Sequence, residues 1–538
     1  MKKQAIFFIL IFSLLFTVSC KKDFEEINKK PDGFSTASDG SLFNYTISSL
    51  QTGWNEQLYV NNEVIYKATE LASVPFIRWG NYSIGTEDIW KNYYKALPYL
   101  RELEKRFAEK DSSPALTNMK AMEKIILAYK TFKVTDLFGD IPFTNAGYGY
   151  QDISKLHPEF DSQESIYKFL LNELKWAAEN IDPAATIEEP LLTFSNFDKL
   201  FFGDLTKWQK FANSLRLRYA MRMVNKEPVL AGDIIKDIIE NHKPTFGVTE
   251  FGQLNSDPLN ETAALWPHNL LYRNESKGWS FNQAKDVRMG STIWHHMSVN
   301  DSADGSGIFD PRVYYFFDTN NNDKWIAYPN SPVTSLPPDG GIPYDYTRDL
   351  YYHIKGANCL YSPVNYYLAR DMDYIPDILM TGAEVIFLRA EAYMRGIGVS
   401  QDVAMAGTEI LDGTQSSIDF WTFVMSNSKL PYGASFSANI TVPANLNFLS
   451  VQNHIDYYSG GVQQLKEIYA QSCIDFFWQP QQVFALARRT GMTPREGSAL
   501  NIYRFTIPPS EVSYNQLNWL SNIGSAGDNL NQKVWWMN

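Results

Sequence analysis

Residues 204–220 of this chain read DLTKWQKFANSLRLRYA, with apolar residues recurring at steps of three and four. The spacing puts Trp208, Phe211 and Leu215 on one face of a helix. It predicts an amphipathic helix over 206–224, whose apolar stripe is buried against a neighbouring element. The chain around this stretch is therefore expected to be helical.

Several other segments show the same helical periodicity. Further helices are predicted over 90–107, 116–135, 163–180, 382–395, 400–411, 415–426 and 463–489. Asp161 is the predicted N-cap of the helix at 163–180. Small residues such as Ala383 and Ala390 stand where paired helices could cross, a pattern typical of stacked helical hairpins. Because no strict repeat of about 34 residues is present, tetratricopeptide-like pairs would be degenerate, and an irregular helical bundle is the alternative.

The rest of the chain has a different composition. Residues 243–380 and 427–462 are rich in Asn, Asp, Gly, Pro and Tyr and contain few helical stretches. They predict long, irregular loops and short strands inserted into a mainly α fold. Loops of this length are uncommon in compact domains and are often functional, so the ligand site is expected there.

The N-terminus has the features of an export signal. Lys2 and Lys3 precede an apolar run over 5–16, which is too short to span a bilayer permanently. Cys20 follows small residues at the end of this run, and the arrangement resembles the bacterial lipobox. That resemblance implies cleavage before Cys20 and acylation of its thiol with chains such as palmitate. The membrane would then be reached through the lipid anchor only.

Charge and motif content exclude several classes of function. The formal net charge of -12 leaves no basic excess for phosphates, so no nucleic-acid partner is expected. The sequence has no zinc-spaced Cys/His cluster, no nucleophile elbow and no phosphate loop, and no cofactor is expected. Cys359 and Cys473 could form one disulfide or remain two buried thiols.

Four segments, in this order along the chain, together resemble the SusD/RagB family of outer-membrane nutrient-binding lipoproteins. They are VTDLFGDIPF at 134–143, the opening stretch at 204–220, ILMTGAEVIFLRAEAY at 378–393 and RFTIPPSE at 504–511. The resemblance implies a mainly α fold in which four degenerate tetratricopeptide pairs form a scaffold. It also implies a cell-surface location in the outer membrane, as the lid of a SusC-like TonB-dependent barrel.

This resemblance suggests a division of the chain into functional parts. The parts are a signal peptide at 1–19, a lipidated tether at 20–41 and a single body at 42–538. Within the body, the scaffold covers 86–242 and 378–490, and the ligand-facing loops cover 60–88 and 243–377. The scaffold is expected to face the transporter, and the loops are expected to face the ligand.

Aromatic residues are the strongest candidates for ligand contacts. Residues 262–352 contain four Trp and eight Tyr. Such rings can stack on the apolar faces of sugars while their polar atoms stay hydrated. The family shares no residue-level binding motif, so only regions can be carried over. The predicted contacts are Trp79, Asn81, Tyr82, Trp266, Trp279 and Trp325.

The segment Asp318-Thr319-Asn320-Asn321-Asn322-Asp323 places oxygen ligands at alternate positions, as calcium loops do. Its sixth position is Asp323 rather than Gly, which excludes an EF-hand. The segment has two interpretations. It holds a structural calcium ion on Asp318, Asn320 and Asn322, or it forms an ordinary polar turn.

The predicted function is therefore non-catalytic capture of an oligosaccharide and its delivery to the barrel. A peptide ligand is the alternative within the same family. A surface glycoside hydrolase, which needs only two placed carboxylates, is the alternative from another class.

Overall fold

The computed structural model describes residues 37–73, 80–267, 275–283, 287–330, 342–345, 353–370, 375–430, 434–497 and 499–537. The longer α-helices are α1 (Asp39–Ser48), α2 (Tyr82–Ala108), α3 (Pro114–Phe138), α4 (Gln163–Asn180), α5 (Leu205–Met223), α6 (Pro228–Glu240), α7 (Gly382–Arg395), α8 (Val403–Asn427), α9 (Gly461–Asp475) and α10 (Pro480–Thr490). The signal peptide, Cys20 and most of the tether lie outside the described residues.

Short elements connect these helices. Short α-helices span Tyr66–Thr69, Leu191–Ser195, Glu275–Gln283, Ser291–His295, Arg312–Phe316, Tyr366–Arg370, Phe436–Asn439, Phe448–Gln452, Pro509–Tyr514 and Gln516–Ile523. A π-helix spans Glu56–Ile65, and 3-10 helices span Ile153–Leu156, Phe476–Trp478 and Gly524–Ala526. The strands are β1 (Ile141–Pro142), β2 (Phe160–Asp161), β3 (Thr262–Leu265) and β4 (Asp377–Thr381). The prediction of a mainly α fold with short-strand insertions is confirmed.

Neighbouring helices pack in pairs, α3 on α4, α5 on α6 and α7 on α8. Two large clusters of buried apolar residues result, one built mainly by α1 to α6 and the other by α7 to α9 with the middle of the chain. Helix α7 contributes to both, with Val385 in the first and Ala383 and Phe387 in the second. Burial on two sides explains why α7 carries apolar residues around most of its circumference.

The large insertion starts and ends at one small sheet. Strands β3 and β4 pair antiparallel, with Thr262 opposite Thr381 and Leu265 opposite Asp377. The chain therefore enters the insertion and returns from it at a single place, between the two clusters of buried apolar residues. This arrangement accommodates the insertion without a break in the helices on either side of it.

Helix ends differ from the sequence prediction at several points. Helix α4 is capped by Ser162, whose hydroxyl accepts a hydrogen bond from Ser165 N at 3.2 Å, and not by Asp161. The Asp161 carboxylate instead accepts bonds from the backbone of Phe143 and Thr144, at 2.9 and 2.8 Å. It therefore stabilises the turn after α3 rather than the start of α4.

Two predicted helices at 400–411 and 415–426 are one helix, α8. Its Gly413 lies against the ring of Phe387, where an added Cβ would come within 2.6 Å of a ring carbon. The predicted helix at 463–489 is interrupted before Pro480, which starts α10. Cys359 and Cys473 are both buried free thiols, which resolves the alternative left open by the sequence. Among the described residues, no helix is both long and apolar enough to cross a membrane.

Candidate ligand-binding site

The early loop supplies three of the predicted contacts. Trp79 lies outside the described residues. Asn81 is exposed at the N-cap position of α2, where its side chain makes no capping bond. The Tyr82 hydroxyl lies 3.0 Å from Thr506 Oγ1, and its ring stacks on Phe505 with centroids 6.2 Å apart. Tyr82 therefore ties the start of α2 to the C-terminal segment, while the amide of Asn81 is available to a ligand.

The three predicted tryptophans of the insertion have different environments. Trp266 and Trp325 are each only 6% exposed. The Trp266 ring packs on Phe420 with centroids 6.2 Å apart, and Trp325 lies parallel to Trp294 at 6.3 Å. Protein side chains cover these indoles, so neither presents an open ring face in the described structure, and a ligand contact at Trp266 or Trp325 stays a prediction. Trp279, on the helix Glu275–Gln283, is half-buried and stays a candidate.

Two of the three residues of the calcium candidate, Asp318 and Asn320, have protein partners for their side-chain oxygens. Asp318 forms an ion pair with His353 and a second one with Lys355 at 3.4 Å. Burial alone would raise the pKa of Asp318, but the hydrogen bond and charge of His353 lower it. Asn320 Oδ1 accepts a bond from the backbone N–H of Asn322 at 2.9 Å. Across the described ranges, no group of three or more His, Cys, Asp or Glu side chains is suited to a metal ion. A calcium ion on Asp318, Asn320 and Asn322 would have to compete with these protein partners, and it stays a prediction.

The buried carboxylate of Glu70 forms a hydrogen-bonded network just before the early loop. Glu70 adopts left-handed backbone geometry, with φ 58°, and is 4% exposed. Its carboxylate accepts bonds from Thr292 Oγ1 at 2.6 Å and from the backbone N–H groups of Glu496 and Gly497 at 2.7 and 2.9 Å. Arg495 Nη1 lies 3.0 Å away and adds an opposite charge. Glu70 thus connects three distant parts of the chain.

Asn330 extends this network. Its amide donates to Thr292 Oγ1 at 3.0 Å, and its backbone N–H donates to Ser291 Oγ at 3.1 Å. Lys67 Nζ donates to the Asn330 carbonyl at 3.4 Å. We call the whole network the loop-base cluster. It consists of Lys67, Glu70, Ser291, Thr292, Asn330, Arg495 and Glu496.

The loop-base cluster lies next to the ends of two described segments of the chain, at Ser73 and at Asn330. Ser73 and Arg288 exchange backbone hydrogen bonds of 2.8 and 2.9 Å beside it. The segment containing Trp79 starts after Ser73, and the segment at 331–341 starts after Asn330. The early loop and the segment at 331–341 of the insertion, separated by more than 200 residues in sequence, therefore both start next to the loop-base cluster.

The exposed edge of the cluster carries a hydrogen-bonding patch. His295 Nδ1 lies 2.5 Å from Glu496 Oε1, and His295 Nε2 lies 3.1 Å from Asp301 Oδ1. Partial burial alone would lower the pKa of His295, but the two carboxylates raise it. One imidazole therefore bridges the two carboxylates. The patch offers donors and acceptors that could bond to ligand hydroxyls.

Sequence patterns did not reveal the loop-base cluster. Glu70 and Arg495 are separated by 425 positions, and neither belongs to a motif with known chemistry. Glu70 follows the C-terminus of the short helix Tyr66–Thr69, where a carboxylate belongs to no capping pattern that would have drawn attention to it. One prediction pointed towards the loop-base cluster. It assigned both the early loop and the insertion to the ligand-facing part of the chain.

Comparison with known proteins places this chain in a family. A family model for SusD-like proteins, described as "Starch-binding associating with outer membrane", matches residues 31–502. No curated protein is similar to the chain in sequence.

Several solved structures have the same fold. A chitin-binding protein is similar at 18% identity with a TM-score of 0.68, covering 93% of this chain and 100% of its own. A Bacteroidetes SusD-like protein has 21% identity, a TM-score of 0.66 and the same coverage. A chitin-binding homologue from Flavobacterium johnsoniae has 20% identity, a TM-score of 0.65 and coverage of 93% and 98%.

Proposed function

Because the chain belongs to the SusD-like family, we propose that it is a non-catalytic lipoprotein of the cell surface that captures an oligosaccharide. The observation that carries the proposal is the loop-base cluster, a buried hydrogen-bonded network next to which both the early loop and the segment at 331–341 of the insertion start. A rigid base reduces the entropy lost when loops close on a ligand, and thereby increases affinity.

The ligand class is proposed from chemistry and from the relatives. Trp79 and Trp279 supply aromatic faces for sugar rings, and Asn81 supplies an amide for their hydroxyls. Two of the similar structures are named as chitin-binding. A peptide remains the alternative ligand, because backbone amides can also use these polar groups.

The anchor and the partner complete the proposal. Acylation of Cys20 would hold the protein at the outer membrane, and the polar residues after it would form a tether. The partner is proposed to be a SusC-like TonB-dependent barrel, with the body acting as its lid and delivering the ligand. The family description, which includes association with the outer membrane, is consistent with this location.

Affinity measurements on two tryptophan variants test the location of the site. Trp79→Ala and Trp279→Ala should each weaken oligosaccharide binding by about tenfold, because stacking of one ring contributes on the order of 1–2 kcal/mol. Trp176, a half-buried residue of α4, is the matched control. Equal affinity in the control and in both variants would place the ligand surface elsewhere.

A turnover assay separates a binding protein from a hydrolase. Purified protein incubated with starch, chitin and plant polysaccharides should release no new reducing ends. Glycan-specific release that is absent from a mock preparation would identify an enzyme and overturn the proposal.

A further inference from the structure

A polar cavity of about 50 Å³ lies at the N-terminus of α10, between α3, α5 and the π-helix Glu56–Ile65. Strand β4 and the helix Glu275–Gln283 of the insertion also contribute to its wall. The cavity has room for a few groups of the size of a water molecule. None of its lining residues belongs to the loop-base cluster or to the predicted oligosaccharide contacts.

The first turn of α10 forms part of the cavity wall. Pro480, Gln481 and Gln482 all line the cavity, and no side chain caps this end of the helix. Pro480 has no N–H group, so the first backbone donor of α10 is that of Gln481. Because the helix dipole places partial positive charge at an N-terminus, this end of α10 favours a negative group.

Buried donors without a protein acceptor line the same cavity. Gln479 is 6% exposed, and neither its Nε2 nor the Nε1 of Trp478 has a hydrogen-bond partner among the described residues. The hydroxyl of Tyr219, a residue only 1% exposed, and the hydroxyl of Tyr129 also form no hydrogen bond within the described part of the chain. Because a buried donor without an acceptor is costly, an acceptor inside the cavity would be stabilising.

The charged side chains at the cavity are paired with each other. Glu56, the only acid among the described residues of the wall, pairs with Lys133 at 2.5 Å and accepts a bond of 2.8 Å from Gln481 Nε2. Lys277 pairs at 3.3 Å with Asp377, which lies outside the wall. These four charges sum to zero, so the site has no excess of carboxylates for a cation. A doubly charged anion would lack counter-charges, whereas the donors and the helix end can hold a single negative charge.

Lys277 has the capacity for a second acceptor. An ammonium group has three donors, and the distance of 3.3 Å to Asp377 Oδ1 exceeds the roughly 2.7–2.9 Å of a usual charge-assisted bond. Burial lowers the pKa of Lys277, and the charge of Asp377 opposes this only in part. A second negative group beside the ammonium would therefore stabilise its charged form.

We propose that this cavity binds a small monovalent anion such as chloride. The ligands would be Lys277 Nζ, the hydroxyls of Tyr129 and Tyr219, the amide of Gln479 and the N-terminus of α10. These groups come from α3, α5, α10 and the insertion, so the bound ion would stabilise the junction between them.

Water is the competing occupant of the cavity. A water molecule donates hydrogen bonds as well as accepting them, so it also needs acceptors in the wall. Glu56 Oε1 and Asn61 Oδ1 already accept bonds from Gln481 Nε2, at 2.8 and 3.3 Å. An anion, which only accepts, matches this set of donors better than water does.

Thermal unfolding in chloride and in gluconate tests the proposal on the exported chain with Cys20→Ser. Protein dialysed into potassium gluconate, whose anion is too bulky for the cavity, is titrated with potassium chloride at constant ionic strength. A ligand that binds only the folded state raises the melting temperature, and we expect a rise of a few degrees. Equal melting temperatures in the two salts would overturn the proposal.

Two variants locate the effect in the cavity. Tyr219→Phe keeps the ring but removes one donor, so it should need about ten times more chloride for the same rise. Gln479→Glu places a fixed negative charge in the wall and should abolish the response. Tyr514→Phe, at a position that is 78% exposed and outside the cavity, is the matched control. A response in either variant equal to that of the control would contradict the site.

Anomalous diffraction from crystals grown with bromide identifies the occupant directly. We expect a peak within hydrogen-bond distance of Lys277 Nζ and of the Tyr219 hydroxyl. A cavity that holds only water, or a bromide peak in a protein whose melting temperature does not respond to chloride, would also overturn the proposal. Both measurements are independent of the oligosaccharide, so a failure of the function proposed above would leave them unchanged.

Discussion

At the scale of single residues, Glu70 combines two unfavourable properties. Left-handed backbone geometry is disfavoured for residues other than glycine, and a buried carboxylate is costly unless it is fully hydrogen-bonded. Here the carboxylate receives bonds from Thr292 and from the backbone of Glu496 and Gly497. Strained residues of this kind often occur where the surrounding structure holds a functional loop in place.

Glu70→Gln is predicted to destabilise the loop base. The amide cannot accept four bonds and leaves Arg495 without its carboxylate, so about 2–4 kcal/mol should be lost. Thermal unfolding by calorimetry measures the effect, and Glu250→Gln at an exposed position is the matched control. Unchanged unfolding in the Glu70 variant would show that the network contributes little.

A second buried acid, Glu123 of α3, makes stability depend on pH. Burial, followed by the charge of Glu104, raises the pKa of Glu123 to about 8. Between about pH 4.5 and 8 the folded protein keeps a proton that the unfolded chain releases, so the contribution of this group to stability falls as pH rises through that window. Below it, both states are protonated and the effect disappears.

Glu123→Gln should therefore raise the melting temperature at pH 8.5 by a few degrees and have little effect at pH 4. Calorimetric scans of the variant and the wild type at the two pH values check this. A variant that is destabilised equally at both would mean that the side chain acts through packing alone.

At the scale of elements, the end of α3 is a junction, where side chains of α4, α5 and the C-terminal segment meet. Asp136 bonds to Tyr167 of α4 and to Arg222 of α5, and it accepts a bond of 2.8 Å from Trp536 Nε1 near the C-terminus. The sequence predicted helices with their buried faces correctly, because periodicity reports burial directly. It gave no role to Asp136 beyond its place in the motif at 134–143, because the partners of this residue lie 31, 86 and 400 positions away.

Asp136→Asn should destabilise this junction by about 3–5 kcal/mol, since it leaves the buried Arg222 without an opposite charge. Denaturant unfolding followed by tryptophan fluorescence measures the loss. Asp233→Asn, at an exposed position of α6, should be neutral. Equal stability of the two variants would contradict the role of Asp136.

At the scale of the whole molecule, the helical scaffold was predictable and the site was only partly so. Ordered motifs at 134–143, 204–220 and 378–393 indicated the family, which the family model confirms. Aromatic content alone could not distinguish buried Trp266 and Trp325 from ring faces open to a ligand. Burial depends on contacts such as that of Trp266 with Phe420, which sequence spacing does not reveal.

Lipidation is predicted to act independently of binding. Cys20→Ala should abolish retention of the protein in the outer-membrane fraction and leave oligosaccharide affinity of the purified protein unchanged. Fractionation with immunoblotting, followed by calorimetry, measures both. A loss of affinity in the purified variant would contradict this separation of roles.

Loops that start next to the loop-base cluster are proposed to bind an oligosaccharide. Calorimetric titration of the Cys20→Ala protein with chitooligosaccharides and maltooligosaccharides tests this proposal most directly, with Glu70→Gln and Tyr514→Ala compared in the same background. We predict saturable binding to at least one of the two sugars, weakened about tenfold by Glu70→Gln and unchanged by Tyr514→Ala. Binding that is unaffected by Glu70→Gln but lost in Tyr514→Ala would contradict the account.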